Sequence, residues 1–407
     1  MLIPIILLVF VCESIGQIIP VKPFIPKPIR ITVDDLPPPF NTSSASKPAI
    51  VVPVPSDATL FVPDGNYRVS VYLDGLQAPR QMIYTPTGDI LVTESSGNRI
   101  SILTGNIKAV FGDITNGISQ VFGMAFYKNW FYVASASNLR RFIYTPGDRK
   151  LHGTGTILMS YPGSGHWTRN LVLAPSGDRL FVSVGSASNV NIEYSPRASV
   201  QVAQMNGSNA ETFSHGLRNP VGMDFHPITE DLYVVVQERD AIGDDLVPDY
   251  FTRIVKDQFY GWPFAYLSSK NVDPRRRYAN GSSERPDLVA ITRTPDVLFQ
   301  AHSAALDMRF YRGQHFPIHY RNGAFVALHG SWNRQSGTGY KVVFVPFGND
   351  NRPLGYYEDF LYGFLVDPTG PRTFGRPVGI LEMKDGSLLV SDDGNGRLYR
   401  IEYTNGK

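Results

Sequence analysis

Gly222-Met223-Asp224-Phe225 and Leu232-Tyr233-Val234 are two short apolar runs joined by a polar turn. That is the pattern of an antiparallel hairpin. The same unit recurs before it, in Met82-Ile83-Tyr84 with Ile90-Leu91-Val92, Gly123-Met124-Ala125-Phe126 with Phe131-Tyr132-Val133, and Leu171-Val172-Leu173 with Leu180-Phe181-Val182. It recurs after it, in Leu306-Asp307-Met308-Arg309-Phe310 with Ala324-Phe325-Val326, and Val378-Gly379-Ile380-Leu381 with Leu388-Leu389-Val390. Turns such as Thr87-Gly88-Asp89, Ser176-Gly177-Asp178 and Asp385-Gly386 join the runs, and further strands such as Arg99 to Leu103, Leu139 to Tyr144, Lys341 to Pro346 and Arg397 to Tyr403 follow most of them. Six units of about four strands in one register predict an all-β, six-bladed β-propeller over residues 63–407, in preference to two stacked sandwiches. The longer fourth-to-fifth interval predicts an insertion across Tyr260 to Gln300, in which Arg275-Arg276-Arg277 reads as a solvated loop.

The rest of the chain frames that domain. With 407 residues, 43% hydrophobic and 18% charged, it has enough apolar material for a large core. A formal charge of +2 supplies no global field to recruit nucleic acid or an anionic membrane. Leu2 to Val11 is apolar and precedes the small residues Ser14 and Gly16, so residues 1–17 read as a secretory signal peptide, too short for a comfortable membrane span. The expected location is extracellular, or periplasmic in a bacterial host, with no membrane span in the mature chain. The single cysteine, Cys12, lies in that segment, so no disulfide is expected in the mature protein. Residues 18–62 are rich in proline and predict an extended lead-in, loose or laid along the surface. Asn41, Asn206 and Asn280 open glycosylation triplets.

In a propeller the innermost strand of each blade lines the central channel. Residues just before those strands are Arg80, Gln120, His166 with Arg169, Arg218 with Asn219, His302 and Arg376; just after the hairpin partners stand Glu94, Ser135, Gly185, Glu238 with Asp240, His329 and Asp392. A nearly neutral chain thus collects arginines and histidines on one face of one channel. Guanidinium forks suit carboxylates and phosphates, so a small polyanion is the expected occupant, although inter-blade pairing with Glu94, Glu238 or Asp392 would use the same arginines. His166 is placed to act as a base, and His329 reads as a ligand or substrate contact. His226, His315 and His319 read as surface groups at turns. The loop Glu238 to Asp245 has closely spaced oxygens that could hold calcium. No His-Glu-x-x-His, Walker loop or Rossmann fingerprint is present.

Several motifs in order carry a resemblance over about Leu36 to Tyr403. They are Gly165-His166-Trp167-Thr168-Arg169, Gly216-Leu217-Arg218-Asn219-Pro220-Val221-Gly222, Tyr260-Gly261-Trp262-Pro263, Ala301-His302-Ser303-Ala304, Leu328-His329-Gly330-Ser331-Trp332-Asn333-Arg334 with Gly339-Tyr340-Lys341-Val342-Val343, and Gly375-Arg376-Pro377-Val378-Gly379. The chain resembles the sorbosone and pyranose dehydrogenases that use pyrroloquinoline quinone, relatives of the soluble quinoprotein glucose dehydrogenases. The resemblance implies that His166 is the catalytic base. It implies that Arg218, Asn219 and Arg376 hold the cofactor's carboxylates and quinone oxygens, with Arg80 and Arg169 in the same ring. Asp240 and Ala241 match backbone carbonyls that hold calcium against the quinone. Where the glucose enzymes place a lysine on the cofactor, this chain has His329 and Arg334 as candidates.

Together these readings give a secreted quinoprotein that oxidises a sugar hemiacetal or sugar aldehyde and passes electrons to an external acceptor, a quinone or a cytochrome. Pyrroloquinoline quinone and Ca²⁺ are the expected cofactors and a small sugar the expected substrate. The alternatives are a calcium-dependent propeller lactonase and a non-catalytic propeller that binds glycans or proteins.

Overall fold

The computed structural model describes residues 16–105 and 107–404; the expected signal peptide, residues 1–17, lies for the most part outside them, as does Cys12. The described chain is nearly all β, and its one α-helix, Pro286–Ala290, has five residues. Each of the six sequence hairpins forms, and each is the first half of its own antiparallel sheet. Sheet one runs Pro79–Tyr84, Ile90–Glu94, Arg99–Thr104, Ile107–Gly112; sheet two begins at Val121–Tyr127, sheet three at Leu171–Leu173, sheet four at Asn219–Phe225 and sheet five at Ala305–Phe310. Sheet six mixes the two ends of the chain: Pro377–Glu382, Leu388–Asp392 and Arg397–Tyr403 are followed by Tyr67–Leu73 and the short strand Ile18–Ile19. Closing a sheet with its own N-terminal strand removes the edge that Arg397–Tyr403 would otherwise expose.

The first strands of the six sheets touch one another in cyclic order, and the last touches the first. Their sequence explains how they approach. Phe122, Val221, Leu306 and Val378, one from each of four first strands, form a buried apolar plug with Trp167. In three of these strands the next residue is glycine, because the neighbouring first strand passes too close for a side chain. A Cβ on Gly222 would lie 2.5 Å from Asp307 Cα, and one on Gly379 would lie 2.2 Å from the Arg80 carbonyl oxygen. Buried polar side chains then tie neighbouring sheets: Gln81 Oε1 accepts from Met124 N at 2.6 Å, Asp224 Oδ2 from Phe310 N at 3.0 Å, and Asp307 Oδ2 from Ile380 N at 3.0 Å. A pattern of Gly beside a polar residue in an apolar strand is thus a packing device. Gly379→Ala should destabilise the protein by about 1–3 kcal/mol, read as a lower denaturant midpoint. An unchanged midpoint would show that the sheets are not held at this spacing.

The lead-in lies along the surface. Val21–Pro23 pairs in parallel with Leu60–Val62, and Ile50–Val51 pairs with Arg372–Thr373. Between them, Phe40 N donates to Ile242 O, Thr42 Oγ1 accepts from Asp244 N, Lys47 N donates to Trp332 O, and Asn395 Nδ2 donates to Val52 O. These partners are the loops that follow the second strands of sheets four, five and six, so the strap runs along the rim where the sequence places its chemistry. Residues 254–296 form the expected insertion, between the third and fourth strands of sheet four.

Candidate active site

His166 stands in the loop that enters sheet three. Its Nδ1 lies 2.8 Å from the Ser186 carbonyl oxygen, and a carbonyl can only accept, so Nδ1 carries the proton. The backbone N–H of His166 donates to the same oxygen at 2.9 Å. Nε2 is therefore left with its lone pair. Burial, followed by the positive charge of Arg218, pulls this imidazole down to about 4, which keeps it neutral at pH 7. A Cβ on Gly185 would strike both His166 Cβ, at 2.6 Å, and Asn219 Oδ1, at 2.4 Å. The glycine is what brings sheets three and four together at this point.

Arg169 holds the loop from behind. It is fully buried and donates to the carbonyls of His166 at 2.6 Å, Thr168 at 3.0 Å and Pro162 at 3.0 Å. Burial lowers it to about 10. The expectation that Arg169 contacts a ligand is corrected to this extent: both terminal nitrogens are spent on the three carbonyls, while Nε is buried without a partner.

Beside His166, Arg218 is buried and pairs with Asp240 Oδ2 at 2.8 Å, while its Nη1 donates to Glu238 O at 2.7 Å and its Nη2 to Asn189 Oδ1 at 3.1 Å. The other Asp240 oxygen faces His302 Nδ1 at 3.4 Å. Burial pulls His302 down, but its contact with Asp240 outweighs this and raises it. Asn219 donates to Gln237 Oε1 at 3.1 Å, and its own Oδ1 is buried without a partner.

Across the plug lies a second group. Arg80 Nη2 meets Asp393 Oδ2 at 2.6 Å. His329 Nε2 donates to Asp393 Oδ1 at 2.8 Å, and His329 Nδ1 accepts from Arg376 Nη2 at 3.0 Å. Burial, opposed by Asp393, takes His329 down to about 4, so the imidazole is neutral and both its nitrogens are spent. Two guanidiniums thus share the Asp393 carboxylate, and the buried Asp392 carboxyl, which accepts from Arg376 N at 2.7 Å, lies beside Arg376. Arg80 Nε is buried with no partner. The Arg80 guanidinium also lies over the Trp167 ring, 5.3 Å from its centroid, so the residue next to His166 joins the two groups.

The structure therefore brings His166, Arg218 and Asn219 together, and separately Arg80, His329 and Arg376, with Trp167 between. His329 enters as a bridge between Arg376 and Asp393 and has no free nitrogen for a ligand. Arg334 is placed elsewhere: it donates to Asp244 O at 2.5 Å and pairs with Asp245 at 2.7 Å, on the sheet-four loop. Asp393, Trp167, Asn189 and Arg275 were missed by sequence reasoning. Asp393 had a signal, since it follows the last hairpin directly. His226 is corrected as well: it is fully buried, accepts from Ile228 N and Thr229 N, and packs on Phe310 and Phe347.

The fit to the expected cofactors differs between them. An anionic guest matches the two arginines that share Asp393 and the orphaned Arg80 Nε. Calcium on the Asp240 carbonyl does not match. The Asp240 carbonyl oxygen already accepts from Asn189 Nδ2 at 2.9 Å and from Arg275 Nη1 at 2.8 Å. Its carboxylate is taken by Arg218 and His302, and Ala241 is an exposed residue whose N–H donates to Asn333 Oδ1 at 2.9 Å. Among the described residues no three His, Cys, Asp or Glu side chains gather around a metal-sized space. Arg275 is accordingly not the solvated loop residue that its sequence context suggests.

One property of His166 is measurable without any ligand. In the ligand-free protein its ring should titrate near pH 4, followed by NMR of the imidazole Cε1–H. The unfolded chain takes up the proton near 6.5, so this group makes stability fall as pH drops from there towards 4. A midpoint at the ordinary value would sink the neutral-base geometry.

The TrAA12-like family model matches residues 61–253 and 278–404. An uncharacterized protein of Borreliella burgdorferi is 30% identical over 361 residues, covering 85% of this chain and 91% of its own. The pyrroloquinoline quinone-dependent pyranose dehydrogenase of Coprinopsis cinerea is 26% identical over 403 residues, covering 84% of this chain. This chain spans only 54% of that enzyme's length. Among solved structures, the holo form of the PQQ domain of the Coprinopsis cinerea pyranose dehydrogenase superposes with a TM-score of 0.70 at 21% identity, covering 87% of this chain and 98% of the domain. That likeness establishes the fold alone.

Proposed function

The chain belongs to the TrAA12-like family, and on that premise we propose that it is an exported quinoprotein on a six-bladed β-propeller, oxidising a sugar hemiacetal or sugar aldehyde. The observation that carries this reading is the tautomer of His166: a neutral imidazole with Nδ1–H fixed on a carbonyl and Nε2 free, beside an arginine-rich cluster. The names of the similar proteins supply the cofactor class and the sugar.

Pyrroloquinoline quinone, when bound, supplies the hydride acceptor. This chain's residues do the rest. His166 Nε2 would take the proton of the hydroxyl on a hemiacetal carbon, or on the hydrated form of an aldehyde, as that carbon gives up hydride. Ser186 and Arg169 keep the ring from swinging, which fixes the direction of proton transfer. Arg80, Arg376 and Arg218 would hold the cofactor's carboxylates through charge-assisted hydrogen bonds. The plug of Trp167, Phe122, Val221, Leu306 and Val378 fills the axis between the two groups with apolar side chains. Electrons leave to an external quinone or cytochrome.

Export rests on the apolar run Leu2 to Val11. The three glycosylation triplets fit it, since Asn41, Asn206 and Asn280 are all exposed. Among the described residues no helix is long and apolar enough to cross a membrane.

The test is reconstitution: apoprotein is loaded with pyrroloquinoline quinone, then sugars are screened with a reducible dye. Turnover that needs both quinone and sugar is expected. A quinone-loaded protein that reduces no dye with any sugar would overturn the oxidoreductase reading in favour of a binding propeller.

A further inference from the structure

Three acids and three arginines form one continuous chain of charge behind the His166 corner. Arg239 is fully buried and pairs with Glu238 at 2.9 Å and Asp273 at 3.0 Å. Asp273 also takes Arg275 through two bonds, Nε to Oδ1 at 3.0 Å and Nη2 to Oδ2 at 2.9 Å. The remaining arm of Arg275 reaches the Asp240 carbonyl, whose own carboxylate holds Arg218. Every acid has an arginine and every arginine an acid, so the chain of charge is neutral as built. A divalent cation at the Asp240 carbonyl would have to displace Arg275, whose Nη1 already donates to that oxygen at 2.8 Å. The carbonyl has no lone pair left for it either, because Asn189 Nδ2 holds the other.

We infer that the Arg275 guanidinium is the cation of this corner, and that the protein takes its quinone without calcium. The inference rests on the functional reading above for the quinone and on the ion chain for the cation. Arg275 is a positioning residue here: it polarises and orients the Asp240 segment that carries the partner of Arg218. The insertion between the third and fourth strands of sheet four thereby acquires a role at the site.

The experiment uses full-length apoprotein freed of metal with EGTA. Pyrroloquinoline quinone is titrated with and without 1 mM-range calcium, following tryptophan fluorescence, and calcium alone is titrated by calorimetry. Quinone affinity should be the same within about twofold in both buffers, with no calcium heat. In Arg275→Gln, quinone affinity should fall by about tenfold or more, as for loss of a hydrogen bond from a charged donor, and calcium should now restore part of it. Arg275→Lys, which keeps the charge, controls for misfolding and should retain most of the affinity. Wild-type quinone binding that collapses in EGTA and returns with calcium would overturn this inference and leave the functional reading standing. Quinone binding in neither buffer would overturn both.

Discussion

Replacing His166 with alanine should lower the turnover of quinone-loaded protein by about 10²–10⁴-fold, the range for a positioned general base, while quinone affinity stays within about threefold. The separation follows from the geometry. His166 spends Nδ1 on the Ser186 carbonyl and is neutral, so it contributes no charge to holding an anion; the arginines do that. Its Nε2 is the uncommitted basic nitrogen of the corner: His302 is engaged by Asp240 and the Gly243 carbonyl, and Asp240, whose burial is outweighed by His302 and Arg218, is held below the usual carboxylate range. His166→Gln is the sharper variant, because it can donate to Ser186 but has no basic nitrogen. It should be as inactive as the alanine protein and more stable than it. Turnover within a few-fold of wild type in either variant, with quinone bound, would remove His166 from the chemistry.

The repeat was legible because one sheet is one short sequence unit, and a period-two apolar strand needs only its own residues to be seen. All six hairpins and the insertion were readable for that reason. The strap was readable only as extended, because prolines forbid helix and central strand without saying where an extended chain lies; Phe40, Thr42 and Lys47 find their partners more than 200 residues away. Site residues divide in the same way. Position beside an inner strand singled out Arg80 and Arg376, which meet through Asp393 and His329, and His166, which lies by Arg218. Which way each guanidinium turns depends on partners remote in sequence. Arg169 turns inward to three carbonyls and Arg334 to Asp245, although both sit in the motifs that carry the resemblance. Arg275 shows the reverse case. Its neighbours Arg276 and Arg277 made it look like part of a solvated run, yet Asp273 and the Asp240 carbonyl draw it into the site.

Asp393→Ala should destabilise the ligand-free protein by about 3–5 kcal/mol, the cost of leaving buried charge without its partner. The carboxylate neutralises two guanidiniums at once, Arg80 directly and Arg376 through His329. Burial works against it, yet His329 and Arg80 hold it far below the usual carboxylate range. By linkage the stability it supplies is present above the unfolded value near 3.9 and is lost as pH falls through the lower folded value. The alanine protein should therefore be weak at neutral pH and close the gap to wild type in strong acid. The same variant tests what the arginines are for. With Asp393 gone, Arg80 loses its carboxylate partner and Arg376 keeps only the neighbouring Asp392, so a triply acidic guest meets two under-compensated guanidiniums. A ligand that binds only the folded state raises stability by an amount set by its affinity, so the rise in melting temperature on adding pyrroloquinoline quinone should be larger in Asp393→Ala than in wild type. A loss of stability with no larger quinone response would mean that these arginines serve the packing of sheets one, five and six rather than a ligand. A loss of stability coupled to a larger response would mean that Asp393 holds the place of a carboxylate that arrives with the cofactor.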